Sequence, residues 1–84
     1  MTTWNVKVTE RAEKDILKLD RVVQKRLKKK LQELIVDPIK NSVPLINSEY
    51  GDRRFRIGDY RVIFDVDGHS IRILHVGHRR EIYR

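Results

Sequence analysis

Residues 53–76 read RRFRIGDYRVIFDVDGHSIRILHV and contain three strand-like runs separated by two short turns. The runs are Arg53 to Ile57, Tyr60 to Val66 and Ser70 to Val76. Apolar and polar residues alternate within each run, which is typical of a strand with one buried face. Gly58-Asp59 and Asp67-Gly68 lie between the runs and suit two-residue hairpin turns. This half of the chain therefore predicts a meander of antiparallel strands.

The N-terminal half predicts one strand followed by two helices. Trp4 to Thr9 alternates like a strand, and Thr9 and Asp20 suit helix N-caps because their side-chain oxygens can accept from first-turn N–H groups. Pro38 is expected to end the second helix. The predicted apolar faces comprise Ala12, Ile16, Leu17 and Leu19 in the first helix, and Val23, Leu27, Leu31, Leu34 and Ile35 in the second.

The order of these elements predicts an α+β fold. We expect an antiparallel sheet of about four to five strands with the two N-terminal helices packed on one face. Residues 80–84 are a candidate for a short final strand. A chain of 84 residues can form one compact core, so residues 1–84 are expected to be a single domain.

Composition excludes several classes of protein. The chain contains no cysteine, so it has neither a disulfide framework nor a cysteine metal site. No apolar run approaches the roughly 20 residues that a membrane span needs. The first residues lack the basic-then-apolar layout of a secretory signal, and a soluble cytoplasmic protein is the expectation.

The positive charge is unevenly distributed. The formal net charge is +7, and residues 1–42 carry eight Lys and three Arg, whereas residues 43–84 carry eight Arg and no Lys. Arginine can grip a phosphate with two parallel hydrogen bonds, so the second half favours contact with phosphate groups. The alternative interpretation is that the charge only keeps the protein soluble.

Strand alternation predicts that Arg54, Arg56 and Arg61 share one face of the sheet, with Phe55 and the apolar residues of the next strand on the other. Guanidinium groups on one face repel each other unless an anion joins them. That anion is either a nucleic-acid phosphate or a neighbouring carboxylate. The candidate carboxylates are Asp52, Asp59, Asp65 and Asp67.

The last residues, 76–84, read VGHRREIYR. Tyr83 lies among Arg79, Arg80 and Arg84, where its ring could stack on an unpaired base and its hydroxyl could bind phosphate. A packing aromatic is the alternative. His78 is either an acid–base group or a turn residue. We expect His75 to belong to the packing, His69 to be exposed, and no metal site, because no histidine has metal-ligand spacing.

These two motifs carry a family resemblance. RFRIGDYRVIF, residues 54–64, resembles the pattern R-x-R-x-G-x-Y-R and following apolar strand of the RelE/ParE toxin superfamily. VGHRREIY, residues 76–83, is similar to the closing segment of its RelE branch. The layout of the N-terminal half matches as well, although only in pattern.

The resemblance implies a toxin of a type II toxin–antitoxin system that cleaves messenger RNA in the ribosomal decoding site without metal or cofactor. By position, Arg61 and Arg79 are similar to the phosphate-stabilising arginines of the family, and Tyr83 to its terminal catalytic tyrosine. Arg54 and Arg56 match basic strand positions that are often lysine. Because arginine is effectively always protonated, the general base is left open between Tyr83 and His78.

Two other functions fit the same sequence. A ParE-like toxin would inhibit DNA gyrase by binding, and a non-catalytic module would only bind RNA or DNA through its basic surface. The resemblance also implies partners: an acidic, partly unfolded antitoxin, and, for the nuclease, the ribosome with bound mRNA.

Overall fold

A computed structural model describes residues 3–46 and 48–82 of the chain. The elements are β1 (Asn5–Val8), α1 (Glu10–Leu17), α2 (Arg21–Leu34), β2 (Val43–Pro44), β3 (Arg53–Ile57), β4 (Tyr60–Asp67) and β5 (Ser70–His78). The strands form one sheet in the order β1-β5-β4-β3-β2. The predicted α+β class with two helices and about five strands is confirmed.

Both helices pack on the same face of the sheet. Ala12 of α1 and Leu27 and Leu34 of α2 lie in one buried cluster. From the sheet this cluster takes Phe55, Ile57, Val62, Phe64, Ile71, Ile73 and Val76. The predicted caps are confirmed, since the Thr9 hydroxyl accepts from the Ala12 N–H and the Asp20 carboxylate from the Val23 N–H. The placement of Leu17 on the apolar face of α1 was wrong. Its side chain points away from the sheet, and the residue is 74% exposed.

The sheet is mixed rather than wholly antiparallel. β1 pairs parallel with β5, from Asn5 opposite Ser70 to Val8 opposite Ile73, while every other pair is antiparallel. The direction of β1 is not set by a hairpin, because helices and three other strands separate it from β5 along the chain. Neither helix is long and apolar enough to cross a membrane.

The two hairpin turns depend on glycine. Gly58 and Gly68 have φ angles of 58° and 61°, a left-handed conformation that glycine adopts without a steric penalty. The first turn is Gly58-Asp59, as predicted. The second is Gly68-His69 rather than Asp67-Gly68, because Asp67 still pairs with Ser70.

The predicted final strand is not formed in residues 80–82. The N–H groups of Glu81 and Ile82 donate to the carbonyl of His78 instead, so the chain turns after β5. The rest of that prediction, residues 83 and 84, lies outside the described residues. Ile82 is 1% exposed after this turn, which anchors the turn against the protein.

The face of the sheet opposite the helices is partly covered. Ile63 points to this face, as alternation predicts, yet it is fully buried. A Cβ atom built on Gly51 would lie 2.5 Å from Ile63 Cγ2, so the loop before β3 lies directly over this side chain. The remaining open part of this face carries the basic residues described next.

Candidate active site

Arg56, Arg61 and Gly77 form one row across β3, β4 and β5. Arg56 pairs with Arg61, and Arg61 pairs with Gly77. Directly paired residues of neighbouring strands share a face of the sheet, so both arginines project on the face away from the helices. Gly77 has no side chain, and Ile82 and His75 lie over it, since a Cβ atom built there would be 3.7 Å from Ile82 Cβ and 3.8 Å from His75 Cε1.

Arg54 belongs to the adjacent row, opposite Ile63. The side chain of Arg54 is half-buried and that of Arg56 is exposed. The sequence analysis therefore placed Arg54, Arg56 and Arg61 correctly on one face. Three guanidinium groups carry like charge there, and their mutual repulsion favours an anion between them.

Arg61 has one guanidinium nitrogen that is buried. Its Nη1 atom is shielded from solvent and has no hydrogen-bond partner within residues 3–46 and 48–82. A buried donor left unpaired costs about 1–3 kcal/mol, and more when the group is charged. Arg61 therefore carries a charged donor that no described residue satisfies, and a shift of its side chain would bring this donor to a bound anion.

The carboxylates do not neutralise this face. In the described part of the chain, Arg54, Arg56 and Arg61 take part in no salt bridge. Asp52 and Asp65 instead accept hydrogen bonds from backbone N–H groups, Asp52 Oδ2 from Val66 and Asp65 Oδ1 from Asp52. The alternative prediction, that carboxylates pair with these three arginines, is not realised.

Arg79 lies at the end of the β4–β5 ladder, two residues beyond Gly77. Its N–H donates to the carbonyl of Asp59 at 2.8 Å, which fixes its backbone beside the Gly58-Asp59 turn. Its Nε is 3.8 Å from Asp59 Oδ1, and the two side chains are 54% and 66% exposed. An exposed pair at this distance is weak, so the guanidinium of Arg79 is available to a stronger anion.

Tyr83 and Arg84 lie outside the described residues, so their predicted proximity to Arg61 stays a prediction. His78 is described, and it belongs to the other face. It pairs with Tyr60, and their rings meet edge to face with centroids 5.5 Å apart. Its Nδ1 accepts from the Arg80 N–H. The structure therefore places the His78 ring on the helix face of the sheet, at the last residue of β5.

His75 was expected to belong to the packing, and the structure shows a different role. Its Nδ1 is 2.5 Å from Asp15 Oδ2, and both side chains are 16% exposed. The Val76 N–H donates to the same oxygen at 3.0 Å. Asp15 in α1 thus binds the edge of β5 beyond the last residue of β1. Nothing in the local sequence signals this pair, because 60 residues separate its members.

A bulge explains why alternation misplaced His75. The register of β4 and β5 shifts between Ile63, opposite His75, and Phe64, opposite Ile73, so Leu74 has no partner. One extra residue in a strand turns the following side chain to the other face. Without the bulge, His75 would point to the helix face like Ile73.

No group of three or more His, Asp or Glu side chains in residues 3–46 and 48–82 is arranged to hold a metal ion. The candidate site therefore consists of arginine side chains near Gly77, with one imidazole–carboxylate pair beside them. This set can bind an anion at several points and can accept a proton.

Comparison with known proteins gives one family match. Residues 6–83 match the family described as the ParE toxin of the type II toxin–antitoxin system parDE. No curated protein sequence matches the chain.

Several solved structures of RelE toxins are similar to this chain. The toxin–antitoxin complex RelBE2 from Mycobacterium tuberculosis contains a chain with a TM-score of 0.83 and 26% identity, covering 93% of this chain and 100% of that one. The RelE–RelB complex from Pyrococcus horikoshii gives 0.78 and 26%, covering 95% and 99%. A mutant of the E. coli toxin RelE in the free state gives 0.78 and 26%, covering 98% and 92%.

Proposed function

The chain belongs to the family of ParE toxins of type II toxin–antitoxin systems, with a RelE-like fold, and we propose that it is an endoribonuclease that cuts mRNA on the ribosome. The observation that carries the proposal is the enclosed Nη1 of Arg61, which has no hydrogen-bond partner among the described residues. Arg56 and Gly77 are the direct strand partners of Arg61 on its two sides, so Arg56 adds a second guanidinium to the same row.

The proposed reaction is an internal transfer of the phosphodiester. The ribose 2′-oxygen attacks the adjacent phosphorus, the bond to the 5′-oxygen breaks, and the products carry a 2′,3′-cyclic phosphate and a 5′-hydroxyl. Negative charge grows on the non-bridging oxygens in the transition state. Arg61 and Arg79 stabilise that charge, and one such preorganised donor is typically worth ~2.7–4 kcal/mol, or 10²–10³ in rate.

The other predicted residues have binding or acid–base roles. Arg54 and Arg56 hold the RNA backbone, because a guanidinium cannot act as a base at neutral pH. Tyr83 stacks on an unpaired base or takes the 2′-hydroxyl proton. His78 is the weaker candidate for an acid–base role, since its ring contacts Tyr60 on the helix face.

Cleavage on defined ribosome complexes tests this function. Purified protein is mixed with ribosomes stalled on a known message, and the new 5′ ends are mapped. We expect the wild-type protein to cut the message in the decoding site. The cleavage rate should fall 10²–10³-fold in Arg61→Ala and Arg79→Ala, and it should also fall in Tyr83→Phe. Arg72→Ala is the matched control, because Arg72 is an exposed arginine at the far end of β5.

Two results would remove the nuclease from consideration. One is intact message with the wild-type protein, and the other is equal cutting by the control and by all three site variants. Salt-sensitive RNA binding without product would then indicate the non-catalytic module.

Inhibition of DNA gyrase is the second candidate function, and the family match to ParE favours it. A DNA supercoiling assay separates it from the nuclease. A nuclease of the proposed kind leaves supercoiling unchanged at concentrations that cut ribosome-bound mRNA. A ParE-like protein stops supercoiling and leaves the message intact.

As a toxin of this type, the protein has an antitoxin partner, and we propose that it is a short acidic chain that folds on binding in the cytoplasm. The net charge of +7 favours such a partner at first contact. Val36, Ile39 and Val43 follow the second helix and are 51%, 46% and 53% exposed, which suits an apolar helix. Co-expression with the product of an adjacent acidic reading frame should yield a stable complex that no longer cuts RNA.

A further inference from the structure

The pair of His75 and Asp15 has a defined proton arrangement. Asp15 Oδ2 accepts the Val76 N–H at 3.0 Å and lies 2.5 Å from His75 Nδ1. An ionised carboxylate only accepts hydrogen bonds, so Nδ1 carries the proton. In the neutral ring the lone pair is then on Nε2, the nitrogen directed away from Asp15.

This lone pair lies next to the basic site. A Cβ atom built on Gly77 would be 3.8 Å from His75 Cε1 and 3.9 Å from His75 Nε2, so the free edge of the ring stands over Gly77. Gly77 is the direct strand partner of Arg61. His75 and Arg61 are therefore both neighbours of Gly77, His75 through its ring and Arg61 as the partner in the next strand.

The bulge in β5 creates this arrangement. It leaves Leu74 unpaired and turns His75 to the face that carries Arg61. Bulges often re-aim a side chain next to an active site, at the cost of a disrupted ladder. Here the disruption is repaired by α1, because Asp15 supplies an acceptor to the Val76 N–H.

We propose that His75 is the general base of the RNA cleavage, an inference that rests on the proposed function, and that Asp15 is its positioning residue. His75 Nε2 takes the proton of the ribose 2′-hydroxyl as the 2′-oxygen forms its bond to phosphorus. The 5′-oxygen leaves with the electron pair of the broken bond and takes a proton from water. The imidazolium then returns its proton to water. His75 thus supplies the general base that a strand with only arginines lacks. Tyr83 then keeps the role of stacking on a nucleobase.

Arg11 is the residue that the substrate must displace. Its Nη2 lies 3.5 Å from His75 Nε2, longer than the usual hydrogen-bond distance of about 2.9–3.0 Å. Arg11 is exposed on α1, so its guanidinium can turn to a phosphate oxygen when RNA binds. Titratable and charged groups from three parts of the chain surround the ring. They are Arg11 and Asp15 of α1 with the C-cap Lys18, Glu49 and Tyr50 of the loop before β3, and His78 and Glu81 at and after the end of β5.

The pH profile of single-turnover cleavage tests the role of His75. With saturating protein, the wild-type rate should rise with pH, because a general base acts in its deprotonated form. His75→Gln should be slower by about 10²–10⁴-fold, the usual contribution of a general base, and should lose this rise, while its affinity for ribosomes stays unchanged. His69→Gln is the matched control, because His69 is exposed and only stacks on Trp4.

Two further variants separate catalysis from structure. The Val76 N–H and His75 Nδ1 both contact the same oxygen, Asp15 Oδ2. In Asp15→Asn the amide oxygen can accept both hydrogen bonds in its place, but it carries no negative charge to stabilise the imidazolium. We expect slower cleavage with little change in stability. In His75→Ala, free imidazole added to the buffer should restore part of the rate, which no purely structural role of His75 predicts.

The outcomes distinguish this inference from the function beneath it. If the wild-type protein cuts no ribosome-bound RNA, the proposed function fails first. A second outcome is that the wild-type protein cuts, Arg61→Ala loses activity, and His75→Gln keeps the wild-type rate and pH profile. In that case the function stands and the role of His75 is refuted. A wild-type rate that does not depend on pH refutes it as well, even if the variants fail to fold.

Discussion

Replacing Arg61 by methionine should separate activity from stability. Methionine keeps the length and apolar stem of the side chain but removes the guanidinium. The enclosed Nη1 of Arg61 has no hydrogen-bond partner among the described residues, and such a group costs about 1–3 kcal/mol of folding free energy. We therefore expect Arg61→Met to raise the free energy of unfolding by about 1 kcal/mol while cleavage falls 10²–10³-fold.

The change is large enough to measure. A domain of 84 residues has a total stability of about 4–13 kcal/mol, from roughly 0.05–0.15 kcal/mol per residue. One kcal/mol shifts the midpoint of thermal unfolding by about 4–8 °C in a domain of this size. Urea unfolding followed by circular dichroism gives the free energy directly, provided that the slope with denaturant is unchanged.

Arg72→Met is the control for this experiment. Arg72 is exposed on β5, so its replacement should change the free energy of unfolding by no more than about 0.5 kcal/mol. A loss of more than about 1 kcal/mol in Arg61→Met would refute the reasoning. It would mean that the guanidinium is satisfied within the folded protein and is not reserved for a ligand.

Three other substitutions test separate parts of the structure. Gly77→Ala should keep stability within about 1 kcal/mol, since the new Cβ meets no atom closer than 3.7 Å, but it should slow cleavage by filling the position beside Arg61; equal cleavage rates for variant and wild type would contradict this. Gly51→Ala should lower the free energy of unfolding by about 1–3 kcal/mol through its contact with Ile63, and an unchanged urea midpoint would disprove the tight approach. Asp20→Ala should cost about 0.5–2 kcal/mol in the same measurement because α2 loses its N-cap; no loss would show that the cap contributes little.

Local patterns were sufficient to predict most of the fold. Strand alternation located β3, β4 and β5 to within a residue or two, and cap chemistry identified the starts of both helices at Thr9 and Asp20. Each of these signals acts over a few neighbouring residues. The placement of Arg54 and Arg56 on one face followed from the same alternation and needed no knowledge of the tertiary structure.

The features that were missed depend on contacts between distant parts of the chain. Alternation cannot anticipate a bulge, so His75 was assigned to the wrong face of the sheet. Its pairing with Asp15 required α1 to cross the edge of β5. Ile63 was correctly placed on the face opposite the helices, but its burial there required the loop at Gly51, whose path has no periodic signal.

The parallel pairing of β1 with β5 has a consequence for the order in which the molecule assembles. Val8 is made early, yet its partner Ile73 follows 65 residues later (73 − 8 = 65). During synthesis β1 therefore has no strand to pair with until nearly all of the described chain has been made. Contacts this distant in sequence slow folding and prolong the exposure of apolar surface to aggregation. Assembly of the sheet is thus delayed until translation of the domain is almost finished.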